Sequence, residues 1–209
     1  MYCRRKRKET KYAFIMYLII PVFVGIEAFL SSNQNVMIIV NIVFSLILSL
    51  FCIFFVFKQE KSLELLGLNK NIKHLIMSSI IFIITIIVRA IITDYSIVEL
   101  VIYALYNFFI IALYEELLFR GFIQSYLFGL NAPRFSIYIL GGFLFAFIHI
   151  FSQMIILRDV RYVFTLNALE VFISTFFCHI VLAIITKKSK DIYIPTALHY
   201  LWNYLITTL

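Results

Sequence analysis

Charge is what this sequence has least of. Of 209 residues only 14% are Asp, Glu, Lys or Arg, while 63% are hydrophobic and the mean hydropathy is +1.00. A soluble domain is nearer a quarter charged and half apolar. The longest polar stretch, residues 58–73, is too short to fold as a soluble domain by itself. Cysteine is scarce as well. Cys3, Cys52 and Cys178 are odd in number and lack metal-binding or paired spacing, so they read as ordinary apolar residues. There is no Gly-rich phosphate loop, no heptad, no Gly-x-Ser-x-Gly and no His-Glu-x-x-His. An internal repeat or an inverted pair of broken helices is also lacking, which counts against a secondary transporter.

What the chain does have is apolar runs of spanning length. Residues 12–30, 36–57, 75–92, 97–128, 135–156, 162–186 and 192–209 read as seven spans, each near or above the roughly 20 residues that cross a bilayer. The first follows a basic head over residues 1–11 and is interrupted by Pro21 and Gly25. It is too long for a signal peptide and lacks a small-residue cleavage site, so it is expected to be retained. The fourth run exceeds the crossing length and must tilt, kink or extend into the interface. With the N-terminus inside, fourteen Lys and Arg fall in inner segments and two in outer loops, with Arg89 and Arg120 inside spans. That is the positive-inside pattern. The formal charge of +7 therefore reports orientation, and no nucleic-acid partner is expected. The chain is expected to be all-α: a polytopic membrane helix bundle of about seven transmembrane helices with a cytoplasmic N-terminus.

The fourth run carries Tyr114-Glu115-Glu116-Leu117-Leu118-Phe119-Arg120, three charges inside hydrocarbon. Each costs about 3 kcal/mol on insertion scales, so a compensating reason is required. Arg120 lies one helical turn after Glu116 and can pair with it. Glu115 points about 100° away from Glu116 on an α-helix and has no obvious local partner, which makes it a candidate functional group. Further polar residues recur in later spans: His149 after Phe145, Glu170 and His179, and His199 with Asn203 at i and i+4. At 1.5 Å per residue, Glu115 and His149 lie about 20 Å from the inner ends of their spans, and His199 and Asn203 roughly 10 and 16 Å. These depths allow a carboxylate, two imidazoles and a carboxamide to converge in the inner half of the bilayer.

That set suits peptide hydrolysis. A carboxylate beside imidazoles can take a proton from water and return it to a leaving amine, while a histidine and an asparagine can donate to an oxyanion. Cys178 and His179 are adjacent in sequence but diverge around the helix, which disfavours thiol chemistry. Metal chemistry stays open on the residues alone, since Glu115, His149 and His199 could offer zinc two nitrogens and an oxygen. No other cofactor is expected.

Glu115-Glu116-x-x-x-Arg120, Phe145-x-x-x-His149 and His199-x-x-x-Asn203 resemble, in order, the motifs of the CPBP family, also called the Abi or type II CAAX prenyl endopeptidase family. Each motif is weak alone; the ordered set, each on its own span, is specific. The resemblance covers residues 97–209, a catalytic core, and leaves residues 1–96 as a basic head with three helices. It implies that Glu115 activates water, that His149 assists water or leaving group, and that His199 and Asn203 stabilise the oxyanion. Glu116 and Arg120 would shape the site, with Phe145 packing beside it, and the metal-free form of the mechanism is preferred. The substrate would be a peptide precursor or a membrane-associated protein, and the lipid bilayer is the other partner. In bacteria the family is associated with maturation of secreted peptides, including bacteriocins, and with self-immunity. The Lys-, Ile-, Phe- and Asn-heavy composition points to a bacterial cell membrane.

Simpler readings stand beside these. Glu116–Arg120 can be a structural ion pair, and His179 and Glu170 can be structural or cavity-lining. Arg89, Asp94 and Glu99 are expected in an interfacial cluster at the outer edge, with Glu27 similar. The alternative function is non-catalytic: a membrane protein for bacteriocin self-immunity or partner binding. A transporter using Glu115 and the histidines as a proton relay is a third class. Oligomeric state and substrate sequence are not written in the chain.

Overall fold

A computed structural model describes residues 9–30 and 34–206. Residues 1–8 of the basic head, Cys3 included, and the last three residues of the seventh expected span lie outside the described residues. Seven long helices follow one another: α1 (Lys11–Leu30), α2 (Gln34–Glu60), α3 (Ile72–Ile92), α4 (Ile97–Leu127), α5 (Arg134–Leu157), α6 (Leu166–Ser189) and α7 (Tyr193–Ile206). Among the described residues the first six are long and apolar enough to cross a membrane, and α7 has 14 residues. The chain is an all-α, polytopic membrane helix bundle.

Local chemistry explains the boundaries. Ser96 opens α4 with a reciprocal capping box, its hydroxyl accepting from the Glu99 amide while Glu99 Oε2 accepts from the Ser96 amide at 2.9 Å. Asn71 caps α3, its Oδ1 accepting from the His74 amide. Arg158 and Lys190 take positive φ at the ends of α5 and α6, the left-handed turn that satisfies terminal carbonyls. Pro21 sits within α1 without ending it, as transmembrane helices tolerate. The over-long α4 stays continuous. Its winding widens twice to π-helix, over Tyr106–Leu113 and Glu116–Ile123, putting more residues into each turn at a smaller rise.

The chain forms two compact units. One comprises Ser45–Gly121 and Ile185–Leu209. In it α7 packs against α3 and against the first π stretch of α4, and α3 against the start of α4. Its apolar centre is Ala104, Ala112, Tyr200 and Tyr204, with Phe82, Ile86 and Phe108 against them. The other comprises Tyr2–Phe44 and Phe122–Ile184. There α1 packs against α5 and the last turn of α4, and α5 against the short turn Val160–Phe164. Phe143, Phe147, Phe172 and Phe176 interlock α5 with α6. These units interleave along the chain and are a different division from residues 1–96 and 97–209, which marks where the motifs begin.

Arg89, expected in a solvated or interfacial cluster, is enclosed, whereas Asp94 and Glu99 are exposed. Arg89 is buried, with its guanidinium 5.5 Å from the centre of the Tyr204 ring, an arrangement that suits a charge inside hydrocarbon. Glu27 is half-buried and accepts from Asn41 Nδ2 at 3.2 Å, a helix-to-helix bond between α1 and α2.

Candidate active site

The unit built from Ser45–Gly121 and Ile185–Leu209 holds most of the site residues expected from the sequence. Glu115 sits between the two π stretches of α4, and Glu116 opens the second. Because a π turn hydrogen-bonds to i−5 and rotates less per residue than an α turn, neighbours diverge less around the axis. Glu115 and Glu116 accordingly reach the same partner. His199 Nδ1 lies 2.8 Å from Glu116 Oε1, and His199 Nε2 lies 3.7 Å from Glu115 Oε2. The imidazole stands between two carboxylates.

Glu116 and Arg120 make the expected i, i+4 ion pair, Nη1 to Oε1 at 3.1 Å, with both side chains fully buried. Glu116 Oε1 is thus shared by a guanidinium and an imidazole. Against a carboxylate oxygen, His199 Nδ1 is the donor. With Nδ1 on Glu116, the Nε2 edge of His199 is turned toward Glu115. Of the two carboxylates, Glu116 makes the shorter contact with His199. Glu115 retains a side chain 17% exposed, the more open of the two carboxylates. Asn203 lies one turn beyond His199 on α7, half-buried.

Gly121 follows Arg120 for a steric reason. A Cβ there would stand 2.9 Å from the Leu66 carbonyl oxygen, so only glycine lets the segment around Glu64–Leu66 lie against this end of α4.

His149 and Phe145 belong to the other unit. His149 is half-buried on α5, with Nδ1 2.9 Å from the Phe145 carbonyl. Nδ1 donates there, which makes Nε2 the acceptor of the neutral ring. Phe145 is buried, its ring centre 4.4 Å from that of His149 and 5.4 Å from that of His179. His179 is buried, with Nε2 3.0 Å from Gln124 Oε1, while Gln124 Nε2 donates to the Ile137 carbonyl at 3.2 Å. Glu170 is exposed on α6.

Several contributors escape sequence reading. Gln124 is a fully buried amide near the end of an apolar run, and no motif in the sequence singles it out. The role of Glu116 in holding His199 depends on the π winding, for which the residues carry no periodic signal. Asp191 and His74, 2.6 Å apart, are 117 positions apart in the chain and both fall between expected spans.

Among the described residues no three His, Cys, Asp or Glu side chains gather as a metal ion requires. The Arg120 guanidinium also occupies the cation position beside Glu116.

A family model described as Type II CAAX prenyl endopeptidase Rce1-like matches residues 97–205. No curated protein and no solved structure matches the chain.

Proposed function

Since the chain belongs to the Type II CAAX prenyl endopeptidase Rce1-like family, a family of intramembrane proteases, we propose that it hydrolyses a peptide bond with Glu115 as the group that activates water. The substrate class we assign is a peptide precursor or a membrane-associated protein in a bacterial cell membrane. The observation that carries the reading is the placement of His199 between Glu115 and Glu116.

In this scheme Glu115 accepts a proton from water as the oxygen attacks the scissile carbonyl carbon, and the carbonyl π electrons move onto oxygen. Glu116, held by Arg120, keeps His199 oriented through Nδ1. With protons on both ring nitrogens, His199 hydrogen-bonds the oxyanion through Nε2–H and keeps that proton, so the carbonyl can re-form. Asn203, on the same helix, supplies a second donor. Glu115 then returns its proton to the leaving nitrogen as the C–N bond breaks and the carbonyl re-forms. His149 enters on the Phe145-x-x-x-His149 motif, as the acceptor that assists water or leaving group. No step requires a metal.

Purified full-length protein in micelles, incubated with internally quenched peptides that include a prenylated CAAX-type sequence, tests this. Glu115→Gln keeps the shape and removes the base, and turnover is expected to fall at least about 100-fold, as for loss of a general base. Cleavage that survives Glu115→Gln undiminished refutes the assignment.

A further inference from the structure

Within the unit that holds Glu115, Glu116 and His199, a second polar cluster stands at the start of α7, away from the carboxylates. Its centre is Asp191, fully buried. Oδ2 receives His74 Nδ1 at 2.6 Å and Asn71 Nδ2 at 3.1 Å, both from the first turn of α3. Oδ1 receives the Tyr193 amide at 3.2 Å, a first-turn amide of α7. The main chain on either side is tied to the segment before α3. Asn69 Nδ2 donates to the Lys190 carbonyl at 2.9 Å, the Tyr193 hydroxyl donates to the Asn69 carbonyl at 2.7 Å, and the Ile192 amide donates to the Gly67 carbonyl at 3.2 Å. Gly67 itself follows Leu66, whose backbone lies against Gly121 at the end of the Glu116–Arg120 turn.

Residues 66–74 thus form a strap touching both halves of the site in this unit: the π turn that carries the glutamates and the first turn of the helix that carries His199. A strap built only to close a loop has no need of a buried carboxylate. Asp191 without its three donors would be an uncompensated buried charge, and its geometry is satisfied only when α7 starts at one height and one rotation relative to α3. His199 lies eight residues further along the same helix, about 12 Å at 1.5 Å per residue, so an error at the start of α7 is carried to the imidazole. Its 2.8 Å bond to Glu116 is sensitive to such an error, since misplacement by about 1 Å can cost roughly 100-fold in a catalytic step.

We propose that Asp191 is a positioning residue for the hydrolysis, with His74 and Asn71 as its clamps. It sets the register of α7 and so the contact of His199 with Glu116 and Glu115. The proposal rests on the reading of the site given above, and it extends the working parts of the enzyme to residues 66–74, outside the stretch that the family model matches. His74 is the half-buried member of the cluster, its side chain 31% exposed beside the fully buried Asp191.

The chain has four histidines, few enough to resolve by nitrogen NMR of the full-length protein in micelles with ring-labelled histidine. His199 is assigned by loss of its signals in His199→Gln. The readout is the proton-bearing Nδ1 signal of His199, which reports its bond to Glu116. Asp191→Ala is expected to abolish or displace that signal while helical content by circular dichroism is retained. His74→Leu should displace it partly, and His74→Asn, which keeps a donor where Nδ1 stood, should restore it. An unchanged His199 signal in folded Asp191→Ala overturns the proposal. Should that variant fail to fold, an unchanged signal in His74→Leu does the same. Glu116→Gln is the separate control: if it leaves the His199 signal unmoved, the site reading fails, whatever Asp191 does.

Discussion

Removing the Arg120 charge offers the sharpest physical test of the site. Glu116 and Arg120 are both fully buried, with Nη1 3.1 Å from Oε1, and His199 Nδ1 approaches the same oxygen at 2.8 Å. Arg120→Met keeps an unbranched apolar side chain but leaves a buried carboxylate facing one imidazole. Breaking a buried pair from one side costs about 3–5 kcal/mol. Glu116→Gln, which strands the guanidinium instead, falls in the same range of about 3–5 kcal/mol and keeps an amide oxygen that His199 can still address. In the double variant no charge is stranded, and replacement of a buried pair by neutral groups is often neutral within about 1–2 kcal/mol. The cycle therefore predicts a coupling of about 3 kcal/mol or more, at the upper end of measured pair couplings. Unfolding in mixed micelles by increasing dodecyl sulfate, followed by far-ultraviolet circular dichroism, measures each corner. Peptide hydrolysis is expected to be lost at all three variants, so stability recovers in the double variant while function does not. If the two single losses instead add to give the double to within about 0.5 kcal/mol, the charges are not each other's partners and the argument from the buried pair is wrong.

Three other outcomes are expected. Gly141→Ala places a Cβ 1.9 Å from Gln124 Oε1 and 2.7 Å from His179 Nε2. The amide must move off the histidine, and loss of a buried hydrogen bond predicts destabilisation of about 1–3 kcal/mol in the same unfolding titration; an unchanged midpoint would show that this amide and imidazole do not depend on each other. Hydrolysis of a quenched peptide should survive prolonged chelation and dialysis within about twofold, as a carboxylate mechanism requires, whereas loss on chelation and recovery with zinc would return the reaction to metal chemistry. Single cysteines placed at Lys61 and Arg161 in a cysteine-free background should label with an impermeant maleimide from opposite sides of the membrane, Lys61 from the cytoplasm. Labelling of both from one side would overturn the orientation drawn from the lysine and arginine counts.

The sequence by itself determined that the chain is a multi-pass helical membrane protein, because long apolar runs in a bilayer have to satisfy their backbone internally and so become helices. It also determined the Glu116–Arg120 pair, a contact within one turn of one helix, and the ordered motifs that carry the family. These are local properties, readable from spacing along one segment. The partner of Glu116 in α7 was a different matter. A strict α-helix sets Glu115 and Glu116 about 100° apart and suggests that only one can meet a distant histidine, whereas π winding lets both approach His199. Whether a helix winds that way depends on what packs against it, and the residues of α4 do not announce it. Arg89 likewise looked interfacial from its place near a span end, whereas its burial beside the Tyr204 ring of α7 depends on how helices pack. Asp191 and His74 meet across 117 residues, where no pattern along the chain connects them. Tertiary structure decided these three because each is a charge or polar group whose energy depends on a partner from another helix, and in a membrane that partner determines whether the group is a cost or a working part.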